Sequence, residues 1–312
     1  MNKLKLILSF DYELPLGHAT NYNKGLFDPA SNLLNLAKEL KIPINLFADV
    51  CSAMKFRKWN EKAYFIPFVS QVQTAIKDGN DVQLHIHPHW MNSQFKDGDF
   101  IPSKFYTLSD FKNEPSPLTI PEIIDNSAAF LKEICSEAAS NYKCIAYRGG
   151  GFNLEPDTKT ILSQLYKNGI RMDSSIIKGF YWRPEFLLAD YRKTPKQANW
   201  ILDLDGDFSK PGDSGILEIP IIGKPKNFIT NFPDKQKRKK HKDRIYNHEG
   251  KGYGTKLSGL TIKDIIRASF SPRMFSFDSN STELKDLLSI RNEIICTFVE
   301  IQNVCKQIIL FS

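Results

Sequence analysis

Along this chain, short apolar runs alternate with segments whose apolar residues recur at helical spacing. Strands are predicted at Lys5 to Asp11, Ile42 to Ala48, Asp81 to His87, Cys144 to Arg148, Ile170 to Ser174 and Gly215 to Ile221. Helices are predicted at Ser31 to Leu40, Pro67 to Lys77, Pro121 to Ala138 and Pro156 to Lys167. Strand, helix and strand in succession imply βαβ units and a parallel sheet. Such units over residues 1–222 suit a barrel whose site lies at the C-terminal strand ends. A doubly wound sheet is the other arrangement this order allows. Asp78-Gly79-Asn80 turns the chain into the third strand. Residues 97–117 form a polar excursion suited to overhanging a site. Residues 223–258 form a second excursion, basic and glycine-rich, that could serve as a lid. Residues 259–312 read as a helical C-terminal extension packed on the barrel. There Asn280 suits an N-cap, with Glu283 three residues on.

The same alternation places chemistry. Gln83-Leu84-His85-Ile86-His87-Pro88-His89 holds three of the chain's six histidines. In a strand, Val82, Leu84 and Ile86 point one way, and Gln83, His85 and His87 the other. His89 continues that second row, although Pro88 ends regular pairing before it. Imidazoles converging at a strand end suggest a transition-metal site. The first strand ends Phe10-Asp11-Tyr12-Glu13, which puts Asp11 and Glu13 on one face and turns Tyr12 away. Two carboxylates at a buried strand end call for a metal or an arginine to compensate them. The fourth strand ends Tyr147-Arg148-Gly149-Gly150-Gly151-Phe152. Its glycines permit positive φ and close approach of backbone to a ligand. Arg148 can pair with a carboxylate and hold it ionised. The fifth strand ends Asp173-Ser174-Ser175, which suits a turn as well as it suits a functional role.

Composition narrows the class. With 312 residues and 41% hydrophobic content, the chain can bury a sizeable core. No apolar run reaches the length of a membrane span. The opening segment is expected to be a strand rather than a signal peptide, because Asp11 and Glu13 follow closely with no small-residue cleavage site. A cytoplasmic protein is the expectation. Five scattered cysteines without CxxC spacing are expected to be reduced thiols. The net charge of +7 is uneven, with a basic run over residues 235–244. That run suits a solvated loop or attraction to an anionic partner, such as a phosphorylated or lipid-linked substrate or a membrane surface met peripherally. Without aromatic interleaving or zinc-finger spacing, nucleic acid is not expected.

Taken in order, Phe10-Asp11-Tyr12-Glu13, His85 with His89, Arg148-Gly149-Gly150-Gly151-Phe152 and Asp173-Ser174-Ser175 resemble the motifs of the polysaccharide deacetylases with a NodB-type domain, carbohydrate esterase family 4. The stretch from Leu84 to Trp90 looks like a subgroup associated with lipopolysaccharide or capsule biosynthesis. The resemblance implies an α/β fold, a distorted (β/α)7 barrel, and metal-dependent hydrolysis of an acetyl group on a sugar, with N-acetyl favoured. It implies Asp11 as general base and Arg148 as the residue that orients it. It implies Glu13, His85 and His89 as metal ligands, with His87 as the alternative. Tyr12, Trp90, Gly150, Phe152, Asp173 and Ser174 are the expected substrate-binding residues. Zinc suits the ligand set, and cobalt, nickel, manganese or iron could occupy it. The expected partner is an acetylated sugar or glycan precursor. One departure stands out: the family's late strand carries a histidine acid, and here Ile216-Leu217-Glu218-Ile219 has none. His248, or else His18, is the expected acid. The same departure motivates an alternative, a catalytically decayed carbohydrate-binding protein.

Overall fold

The computed structural model describes residues 7–14, 21–101, 103–112, 118–183, 187–221, 223–224, 261–270 and 273–274. The strands of its central sheet are numbered here along the chain: β1 (Ser9–Tyr12), β2 (Asn45–Asp49), β3 (Asp81–Ile86), β4 (Ala146–Gly149), β5 (Met172–Asp173), β6 (Trp200–Asp203) and β7 (Gly215–Glu218). Their order across the sheet is β1-β2-β3-β4-β5-β7-β6. All neighbours are parallel except β6 and β7, which form an antiparallel edge. The molecule is thus mixed α/β with a mostly parallel sheet. Among the described residues no ladder joins β6 back to β1, so the expected barrel is not seen closed.

The helices are α1 (Asp28–Leu40), α2 (Val50–Lys58), α3 (Lys62–Lys77), α4 (Ile120–Ser136), α5 (Thr158–Lys167) and α6 (Ile262–Ser269). Local chemistry sets several ends. α1 stops at Lys41, which takes a left-handed conformation at φ 54°. α4 starts on a capping box in which Thr119 and Glu122 satisfy each other's backbone amides. α3 runs through Pro67 rather than starting there. The lost hydrogen bond is offset by Tyr64 and Phe68, which are buried on either side of the proline and join Phe56 and Phe27 in an aromatic cluster.

The two faces of the sheet differ. Leu46, Ala48, Val82, Leu84, Ile86 and Tyr147 face the main core, which α1 to α5 cover. Phe47, Ala146 and Met172 face the other way, in a small apolar cluster. This second face is lined toward the C-terminal strand ends by polar side chains. Of the C-terminal segment, α6 is tied to Tyr181 through a hydrogen bond to Asp264, and Gly223–Lys224 pairs with Arg273–Met274. The basic run, the glycine-rich stretch and the expected helix from Asn280 lie outside the described residues. No helix among the described residues is long and apolar enough to cross a membrane.

Candidate metal centre

The site begins with the alternation of β3. His85 lies on the face opposite Leu84 and Ile86, and His87 continues in extended conformation at φ −105°. Glu13 follows β1, the edge strand two places from β3 in the sheet. Its Oε2 sits 3.3 Å from His85 Nε2 and forms a closer ion pair with His87 Nε2. The ligand-capable atoms of Glu13, His85 and His87 all lie within 4.8 Å of one another. His85 Nδ1 is 2.8 Å from the Arg148 carbonyl. A carbonyl only accepts, so Nδ1 donates to it and Nε2 is the ring atom that faces the cluster. His87 is fixed differently. A Cβ on Gly150 would stand 2.6 Å from the Ile86 carbonyl and 2.8 Å from His87 Nδ1. Only glycine lets the segment after β4 close on this ring. Both imidazoles are buried, whereas the Glu13 side chain is 29% exposed, so the cluster opens to solvent on that side.

Electrostatics bind the three residues. Burial alone would raise the Glu13 pKa, but His87 and His85 outweigh it and hold the carboxyl well below its usual range. Burial alone would strip His87 of its proton. Glu13 overcompensates, and the imidazole is pushed up to about 9. Without a cation the cluster is therefore a carboxylate–imidazolium pair, and a divalent ion would take the place of the proton. Asp49 adds a second sign of fit. It ends β2 in register with His85, buried. Its Oδ1 accepts from the His87 amide at 3.3 Å, and its Oδ2 has no hydrogen-bond partner among the described residues. Burial pushes this carboxyl up, against the pull of His87 and His85. An orphaned buried carboxylate oxygen is costly, and a cation on Glu13, His85 and His87 would offset that cost. One carboxylate and two imidazoles are also a donor set that suits zinc and leaves a coordination position free.

A second unit stands beside the first. Arg148, buried at the end of β4, donates from Nη1 to Asp11 Oδ1 at 2.7 Å and from Nη2 to Ser9 Oγ at 2.8 Å. Its Nε donates to the Ser174 carbonyl at 3.0 Å and its Nη2 to Ser174 Oγ at 3.1 Å. The guanidinium also lies over the Phe47 ring, 4.2 Å from its centroid. Asp11 shares the face of Glu13, as alternation predicts, and is close enough to contribute to the raised His87 pKa. Its side chain is 23% exposed, within reach of solvent.

Other expected site residues fall elsewhere. Residues Pro88–Asn92 wind a 3-10 turn. That turn sets His89 against Trp90 and Tyr106, with ring centroids 5.0 and 5.9 Å apart. Burial and the charge on His87 hold His89 down at about 3, so it is a neutral packed ring. The group that could hold a metal thus includes the alternative, His87, and not His89. Tyr12 and Trp90 are corrected from substrate contacts to core. The Tyr12 hydroxyl donates to Gln71 Oε1 at 2.7 Å on the helix side of the sheet, and Trp90 packs between Phe56 and Phe100. Asp173 is fully buried and cannot line a groove, while Ser174 is half-buried and held by Arg148. Gly150 meets His87 rather than open space. Phe152 is half-buried with φ 60° and accepts from the Tyr191 hydroxyl at 2.6 Å. His248 and His18 lie outside the described residues. Asp49 was not among the expected residues; the signal was an acid one residue past the predicted end of an apolar strand.

No protein-family model matches the chain, and no curated protein does. A solved structure from Mycobacterium smegmatis, provisionally described as a polysaccharide deacetylase, is similar at 12% identity with a TM-score of 0.34. The match covers 62% of this chain and 45% of that one, so the chain spans less than half of that structure's length. At that distance, the chemistry of the site rests on its own geometry.

Proposed function

We propose that this chain is a metal-dependent hydrolase that removes an acetyl group, N-acetyl favoured, from a sugar of a polysaccharide or surface-glycan precursor. One observation carries the reading: the Glu13–His85–His87 cluster stands beside the Asp11–Arg148 pair on one face of a parallel sheet, at its C-terminal strand ends. When bound, a divalent metal polarises an acyl oxygen and lowers the pKa of a water toward ~7. Glu13, His85 and His87 would hold it and leave room for substrate. Asp11 accepts the proton of the attacking water, since it is the partly exposed carboxylate of the pair. Arg148 fixes the orientation of Asp11 through a charge-assisted hydrogen bond. Gly150 lies against His87, where the backbone of its segment can face the acyl group.

The choice of an acetylated sugar rests on the motif resemblance, as does closure of the sheet into a barrel. The donor set favours zinc among the metals. A phosphorylated or lipid-linked precursor, met in the cytoplasm, would be attracted by the basic run over residues 235–244. The proton donor to the leaving amine is assigned to His248.

The test is acetate release from N-acetylated amino sugars, free, nucleotide-linked and oligomeric, by zinc-loaded protein. Asp11→Asn is expected to lower turnover by about 10²–10⁴-fold while metal content stays the same. Tight glycan binding without release, insensitive to chelation, would instead select a binding protein. The lack of a histidine on β7 favours that second reading.

A further inference from the structure

Behind the metal centre, on the helix side of the sheet, two acids face each other. Glu218 is in register with Asp173 across the parallel strands β7 and β5, and Asp173 is in register with Tyr147 of the main core. In-register residues on adjacent strands share a face about 5 Å apart. Both side chains are fully buried and interact directly. Two ionised carboxylates cannot persist side by side in such surroundings, so one proton must stay. The hydrogen bonds say where. Asp173 accepts from the Ser175 amide at 3.0 Å and from Ser175 Oγ at 2.7 Å, as an ionised carboxylate does. Glu218 receives only the Ile176 amide on Oε1 at 3.3 Å, and no described donor reaches its Oε2. Oε2 is thus the oxygen left free to hold a shared proton. Burial, followed by the charge of Asp173, also pushes the Glu218 carboxyl well above its usual range. The other titratable groups facing the pair are Arg148 and the phenols of Tyr147 and Tyr191, which burial keeps neutral.

The pair reaches the front of the sheet through two serines. Ser175 Oγ, donating to Asp173, accepts from the Gly149 amide at 2.8 Å. Its neighbour Ser174 supplies two of the four hydrogen-bond acceptors of Arg148. We propose that Asp173 and Glu218 form a proton-sharing carboxyl pair that positions Arg148, and through it Asp11, by locking the Ser174–Ser175 turn from the far face of the sheet. This rests on the reading of Asp11 and Arg148 as the base and its orienting residue, but the lock itself can be measured without turnover.

Two measurements on the full chain test it. Infrared difference spectra at neutral pH, wild type against Glu218→Gln, should show the C=O band of a neutral carboxylic acid that the variant loses. Nuclear magnetic resonance should follow hydrogen exchange of the Arg148 Nε–H, assigned with Arg148→Lys. Glu218→Gln keeps a donor toward Asp173, so exchange should stay within about twofold of wild type, whereas Ser175→Ala and Asp173→Ala should speed it about tenfold or more, as loss of a hydrogen bond does. Ser175→Ala is the milder change and serves if Asp173→Ala fails to fold. Absence of the acid band in wild type, or unchanged Arg148 exchange in the folded Ser175→Ala protein, overturns the proposal. Failure of the hydrolase reading would register in acetate release alone.

Discussion

The two ends of β3 carry polar side chains on the same face of the same strand, and they behave oppositely. At the start, buried Gln83 spends its whole capacity. Its amide nitrogen donates to Asp81 and to the Lys143 carbonyl, and its oxygen accepts from the Ile145 and Ala146 amides at 2.9 and 2.8 Å. This end is a closed network that splices β3 to β4. At the other end, His85 and His87 turn their Nε2 atoms to one carboxylate, and Asp49 keeps an oxygen with no described partner. Burial and polarity are shared by both ends. Only the second leaves donor atoms converging on a point, and that unspent capacity distinguishes a site from a structural hydrogen-bond network.

The contrast breaks most sharply at Glu13. Glu13→Gln should weaken zinc affinity by at least about a hundredfold, beyond the cost of disturbing an outer partner, and calorimetric titration would show it. Gln83→Ala should do the reverse. It leaves buried amides without an acceptor, so denaturant melts should show a loss of about 1–3 kcal/mol with zinc affinity unchanged. The third effect is in pH. Because His87 is raised from 6.5 to about 9, its ion pair stabilises the metal-free protein fully below pH 6.5, and that contribution fades as pH rises through about 9. Zinc must displace the same proton, so its affinity should climb about tenfold per pH unit across that window and then level off.

Much of this was legible from the chain. All six predicted strands are present, because buried parallel strands read as apolar runs bounded by turns. α2 was not foreseen, since Val50 follows β2 without a glycine or proline to mark the junction. β6 was not foreseen either, being a four-residue antiparallel edge. In the site, alternation put Asp11 with Glu13 and His85 with His87. The choice of His89 followed motif spacing, and the 3-10 turn after Pro88 overrode it. The polar excursion from residue 97 hides Phe100 and Phe111, which long-range packing draws into the core and which no local pattern announces. Glu218 was read as a missing histidine. Its partnership with Asp173 depends on the pairing of β5 with β7, which sequence periodicity does not specify.

The most direct measurement is zinc stoichiometry, by elemental analysis after equilibrium dialysis, for wild type, His87→Ala and His89→Phe. About one equivalent is expected in wild type and in His89→Phe, with loss in His87→Ala. Zinc retained by His87→Ala, or absent from wild type, would contradict a metal centre built on Glu13, His85 and His87.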